Sequence, residues 1–128
     1  MKIVTILVRS LLGLIFIVFG FNGFFHFIHM PPPPADSPAG QFFAAVSTTG
    51  YMSVIFLCQI IGGLLLFFNF LPVLGLVILC PIIFNIVLFH ATMAPSGLPL
   101  AIVVTILALF LIWAYWDHYR HLVRQPGK

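Results

Sequence analysis

Charge is what this chain has least of. Its 128 residues include five Lys or Arg and two Asp or Glu, 5% in all, where a soluble globular domain carries roughly a quarter. So few charges cannot present a surface to water, and a composition that is 62% hydrophobic and 16% aromatic, with a mean hydropathy of +1.24, excludes a soluble domain. Acidic residues are scarcest. Asp36 and Asp117 both lie outside the apolar runs, so no intramembrane carboxylate is available for paired acid and base catalysis or for ion-coupled exchange of cations. Cysteine is nearly absent too. Cys58 and Cys80 fall inside apolar runs and start from opposite ends of adjacent spans, which leaves no disulfide framework and no expected redox pair. The net charge of +3 comes from five bases at the two chain ends, which form no groove or patch for nucleic acid.

What is present is long and apolar. Residues 10–28 carry no charge and, at about 1.5 Å per residue, are just sufficient for ~30 Å of hydrocarbon. The stretch exceeds the apolar region of a secretory signal and no A-x-A-like site follows it, so a first span over 8–28 is expected. Four successive prolines, Pro31, Pro32, Pro33 and Pro34, lack N–H donors and fix φ, predicting a stiff external loop. Residues 41–49 mix Phe42 and Phe43 with polar groups and are too short to span, which predicts a short interfacial helix. Further spans are expected over 51–70, 73–91 and 98–116, separated by the Asn69-Phe70-Leu71-Pro72 turn and the Pro95-Ser96-Gly97 break. The expected architecture is a single all-α domain over 1–128, an integral membrane four-helix bundle surrounded by lipid bilayer.

Orientation follows from the bases. Lys2, Arg9, Arg120, Arg124 and Lys128 share the side of both termini, whereas the proline loop and the Pro95 turn carry none. The positive-inside rule then places both termini in the cytoplasm, with Trp113, Tyr115, Trp116 and Tyr119 as an aromatic belt at the inner interface. Arg9 is expected to snorkel to the inner headgroups.

Polar side chains inside spans turn inward or face cavities, because lipid supplies no hydrogen bonds. Asn22, His26 and His29 fall within about 60° of one another on an ideal first helix, near its outer end. Arg9, Gly13, Gly20 and Gly23 form a second stripe within about 80°, suited to close helix packing. Gln59 lies ~12 Å below Tyr51, near midplane. Pro81 frees the Val77 carbonyl, and Asn85, one turn further on, is placed to satisfy the freed backbone. Asn85 and His90 are about 140° apart and share no face; His90 is expected to end the helix at the outer headgroups. By depth, Asn22, His26, Gln59, Asn85 and His90 gather in the outer half, beneath the proline loop, as a candidate polar pocket. His26, His29 and His90 lack a cysteine or carboxylate to complete a shell, so no metal site is expected.

The motifs Phe21-Asn22-Gly23-Phe24, Met30-Pro31-Pro32-Pro33-Pro34, Thr49-Gly50-Tyr51-Met52, Gly62-Gly63-Leu64-Leu65-Leu66, Pro81 with Asn85, Phe89-His90 and Trp113-Ala114-Tyr115 span nearly the whole chain. In order and spacing they resemble the DoxX family of bacterial membrane proteins. The resemblance implies a four-helix protein of the bacterial inner membrane, in a family with members tied to thiosulfate oxidation and quinone reduction and others proposed to work with oxidoreductases in membrane complexes. Where DoxX-like sequences carry a lysine late in the first helix and a glutamate before the Gly-Gly pair, this chain has Gly23 and Gln59, so its hydrogen-bonding groups there are neutral.

Three functions compete at this level. With no nucleophile, metal shell or carboxylate pair, a non-catalytic or accessory subunit of a membrane redox system comes first, with a membrane oxidoreductase as its partner. Asn, Gln and His among phenylalanines suit quinone carbonyls, which makes a quinone-linked component the second. A small-molecule transporter is the third, and the missing intramembrane carboxylate opposes it. The glycine-rich helix faces also allow a homo-oligomer.

Overall fold

The computed structural model describes residues 2–124, and Lys128 lies outside them. Among the described residues all regular structure is helical: α1 (Lys2–Phe25), α2 (Pro38–Thr48), α3 (Tyr51–Phe67), α4 (Pro72–Thr92), a 3-10 turn (Pro95–Gly97), α5 (Leu98–Ala114) and α6 (Trp116–Val123). α1, α4 and the Pro95–Ala114 stretch are each long and apolar enough to cross a membrane. α2 and α3 meet at 84° and make a fourth candidate if the bent pair is one span. The outward faces are themselves apolar, with Val54, Leu57, Ile106 and Leu109 all more than half exposed. Such a surface marks a membrane protein.

Local chemistry sets the helix limits. Ser37 caps α2, its Oγ accepting from the Gly40 N–H at 3.0 Å while donating to the Pro34 carbonyl at 2.6 Å, and Pro38 occupies the first helical position. Gly40 packs directly under the Pro34 carbonyl, where a Cβ would collide with backbone. The start of α2 is thereby fastened to the proline loop. Gly50, at φ 77°, takes the left-handed conformation that turns α2 sharply into α3.

α1 packs against α3, α3 against α4, α4 against α5, and α5 returns to α1. One end of this ring holds Lys2, Arg9, Arg120 and Arg124; the other holds the proline loop and α2. Glycine permits the closest approaches. A Cβ on Gly63 would lie 2.8 Å from the Gly13 carbonyl oxygen, and one on Gly13 would lie 2.8 Å from that of Gly63. The neighbouring Gly62 faces α4 instead, across from Gly75 and Leu79. Each half of the Gly-Gly pair therefore serves a different helix. Leu12, Leu66, Leu76, Leu79 and Leu111 fill the core between these contacts with no exposed surface.

Several departures from the sequence reading have identifiable causes. α1 stops at Phe25, short of residue 28, because Asn22 draws the chain back: its carbonyl accepts from the His26 N–H at 2.8 Å and its Oδ1 from the Ile28 N–H at 2.7 Å. His26 sits at φ 53°, so Asn22, His26 and His29 do not share one helical stripe. Arg9 does not snorkel; it is 7% exposed and donates into the end of α3. Asn85 bonds the carbonyl of Pro81 itself, at 3.0 Å, rather than that of Val77. Finally, the fifth helix ends at Ala114, and a separate short helix, α6, folds under the basic end. Its Tyr119 is buried rather than interfacial and donates to the Val73 carbonyl at 2.8 Å. Burial, reinforced by Cys80 and Tyr115, raises the Tyr119 phenol above its ordinary value and keeps it a donor.

Candidate functional site

The proline end of the helix ring is not fully packed. Two adjoining cavities open there beneath α2, of about 250 Å³ and about 500 Å³. The smaller lies between α3 and α4, with Phe42, Phe43 and Phe89 over it. Those rings hold α2 onto α4: Phe89 stands 5.2 Å from Phe43 and 5.4 Å from Phe42, centroid to centroid. The larger reaches across α3 to α1 and α5, between Phe16, Phe19 and Phe56. Phe43, Met52, Gln59 and Ile86 line both and form the wall between them.

Gln59 is the centre of this arrangement. It is 7% exposed, yet its amide makes no hydrogen bond to any described residue, and the surface it retains faces the two cavities. Every other buried polar side chain has a partner: Arg9 the α3 carbonyls, Asn22 the Ile28 N–H. Its polar atoms are not sealed in the core but reach the cavity surface, where a bound molecule can hydrogen-bond them.

The remaining polar residues of the outer half divide between the cavities and the scaffold. Asn85 lines the small cavity beside Gln59. Asn22 and His26 line the large one, Asn22 with its Oδ1 already engaged. His90 lines neither. Its Nδ1 stands 3.2 Å from the Ala94 carbonyl and its ring packs on Gly97, which holds the turn between α4 and α5. Among the described residues no three His, Cys, Asp or Glu side chains converge on one point.

Sequence reasoning did not single out Thr92, Ser47, Ser53, Met52 or Ile86, all of them lining residues. Thr92 was within reach: it is seven residues from Asn85 and so returns to the same helix face, as Met52 does for Gln59. The serines depend on where α2 folds over α3, which no spacing along the chain specifies. No family model matches this chain, and neither a curated protein nor a solved structure matches it.

Proposed function

We propose that the chain is a DoxX-like four-helix bundle of the bacterial inner membrane, with both termini in the cytoplasm, that serves as a non-catalytic subunit of a membrane redox system and holds a quinone in its outer half. The single observation that carries the ligand reading is the unpaired, nearly buried Gln59 amide shared by two apolar cavities. Lipid-soluble molecules with one or two polar atoms match such a site, because the walls gain from apolar contact while one hydrogen bond sets orientation.

The non-catalytic part of the reading is supported by the residues that line the cavities. Among the described residues lining the two cavities His26 is the single His, Asp, Glu, Lys, Arg or Cys side chain, and it faces only the larger chamber. The topology is supported by charge, since Lys2, Arg9, Arg120 and Arg124 all gather at one end of the helix ring and the proline end carries no Lys or Arg. The glycines at Gly13, Gly62, Gly63 and Gly75 are occupied by contacts within the chain, which favours a partner of another kind over a glycine-mediated homo-oligomer.

Purification from bacterial membranes in mild detergent, followed by mass spectrometry of extracted lipids and co-purifying proteins, tests the proposal. A quinone at near-equimolar amount together with an oxidoreductase subunit is the expected result. Recovery of the chain with neither overturns it.

A further inference from the structure

The larger chamber carries a second amide whose free end is buried. Asn22 is 3% exposed and lines this chamber from α1, as Gln59, 7% exposed, does from α3. Because the Ile28 N–H can only donate, the atom it meets at 2.7 Å is the Asn22 oxygen, and Nδ2 is the opposite end of the amide. Neither hydrogen of Nδ2 is taken by a described residue. Among the described residues no side-chain nitrogen or oxygen is both sealed from the surface and unpaired, so Nδ2 reaches the chamber. His26, Ser47 and Ser53, which also line it, are exposed, and the two amides are its buried polar groups.

We infer that the polar head of the ligand lies in the larger chamber, against α1 and α3, with an oxygen accepting from Asn22 Nδ2 while Gln59 bonds it from deeper in the bundle. The inference rests on the quinone-holding reading above and adds a second contact residue to it. Gly23, next to Asn22, packs on the Phe56 ring, and Gln59 lies one turn further along α3, roughly 5 Å deeper. The amides therefore address two heights of one chamber flanked by Phe16, Phe19 and Phe56. An apolar cavity of about 150 Å³ admits benzene, and this one, at about 500 Å³, has room for a substituted ring. A quinone and its hydroquinone both offer an oxygen lone pair to Nδ2, so the contact sets position and not redox state.

The same side chain holds the roof. By bonding the Ile28 N–H, Asn22 draws back the chain that leads to Met30, and Met30 lines the chamber. A ligand that fixes the amide by its nitrogen also steadies the turn held by its oxygen, and by reciprocity the formed turn favours the ligand.

Asn22→Asp separates the two ends, because a carboxylate keeps an acceptor for the Ile28 N–H and replaces the free donor by an oxygen. A short-tailed benzoquinone is titrated at pH 8 into the native full chain and into the variant, both in mild detergent, by calorimetry. Hydrogen exchange at Ile28 and the side-chain amide signals of protein labelled at asparagine are followed in parallel. Asn22, Asn69 and Asn85 are the asparagines of the chain, and the Asn22 signal is the one absent from the variant. On saturation of native protein the Asn22 amide signal is expected to shift and Ile28 exchange to slow. The variant is expected to bind roughly 3- to 10-fold more weakly, the equivalent of one hydrogen bond, while its ligand-free exchange at Ile28 stays near native. If the variant lacks native helicity, the amide signal of native protein decides alone. Binding to native protein with an unmoved Asn22 signal, or equal affinity in the folded variant, overturns the Asn22 contact while leaving the quinone-holding reading in place. No binding to native protein overturns both.

Discussion

Arg9 places its Nη1 2.6 Å from the Leu66 carbonyl oxygen and 3.2 Å from that of Phe67, so a cation on the first helix closes the C-terminus of the third. The carbonyls at a helix end carry about half a negative charge and lack intrahelical donors. A guanidinium supplies both the charge and a planar set of donors. The only ion pair among the described residues, Asp117 with Arg120, is elsewhere, so the α3 terminus is what compensates the buried cation. The contact also explains how the basic end can be charged and yet pack tightly: the charge lies within it, against Gly13 and Gly63 one turn above.

Replacing Arg9 by Met leaves those carbonyls unpaired and is expected to lower stability by about 1.5–3 kcal/mol, the range for hydrogen bonds to a charged group. Arg9→Lys keeps the charge but must reach both carbonyls, now bonded by the single Nη1, with a shorter side chain, and recovers part of the loss. Thermal unfolding in one detergent, followed by helicity, ranks native above Lys above Met.

The two glycines of the Gly62-Gly63 pair are expected to differ. A Cβ at Gly63 meets backbone, the Gly13 oxygen at 2.8 Å, whereas one at Gly62 meets mainly the movable Leu79 side chain at 2.6 Å. Gly63→Ala therefore forces α1 and α3 apart and costs about 1–3 kcal/mol, while Gly62→Ala costs less. The same unfolding measurement separates them.

Asn22→Ala removes the acceptor of the Ile28 N–H at the end of α1. Loss of about 1 kcal/mol is expected, as for other capping side chains, concentrated locally. Hydrogen exchange shows it as faster exchange at Ile28 with the middle of α1 unchanged.

The raised pKa of Tyr119 gives α6 a pH dependence. Its folded-state value lies above the ordinary 10.0, so the folded chain binds this proton more tightly than the unfolded one. The stabilisation is fully present below pH 10 and declines as pH rises from there towards the folded-state value. Trypsin cleavage at Arg120 should accelerate above pH 10 in the native chain, whereas Tyr119→Phe, without the bond to Val73, should be cleaved faster at neutral pH and show no such rise.

Much of the fold was written in the sequence, because hydropathy and proline act locally. The helical class, the apolar runs, the α3–α4 turn at Asn69 and Pro72 and the short helix after the prolines all follow from nearest-neighbour chemistry. What escaped were consequences of tertiary contact. That Arg9 turns inward depends on the end of α3 lying opposite it, 57 residues away in the chain. α6 depends on Tyr119 finding the Val73 carbonyl, and the end of α1 depends on Asn22 reaching past His26. For the candidate site, spacing singled out Gln59 and noted that Asn85 and His90 face apart. That Gln59 alone lacks a partner required every other buried polar group to be accounted for.

The central claim is that Gln59 holds an apolar ligand in the cavities beneath α2, and titration of the purified chain with a short-tailed benzoquinone and its hydroquinone tests it most directly when native protein and Gln59→Leu are compared. The account predicts saturable binding to native protein and at least a tenfold loss of affinity in Gln59→Leu, with helicity unchanged, as expected when a buried hydrogen bond to a ligand is removed. Equal affinity in the two proteins, or no binding to either, would contradict it.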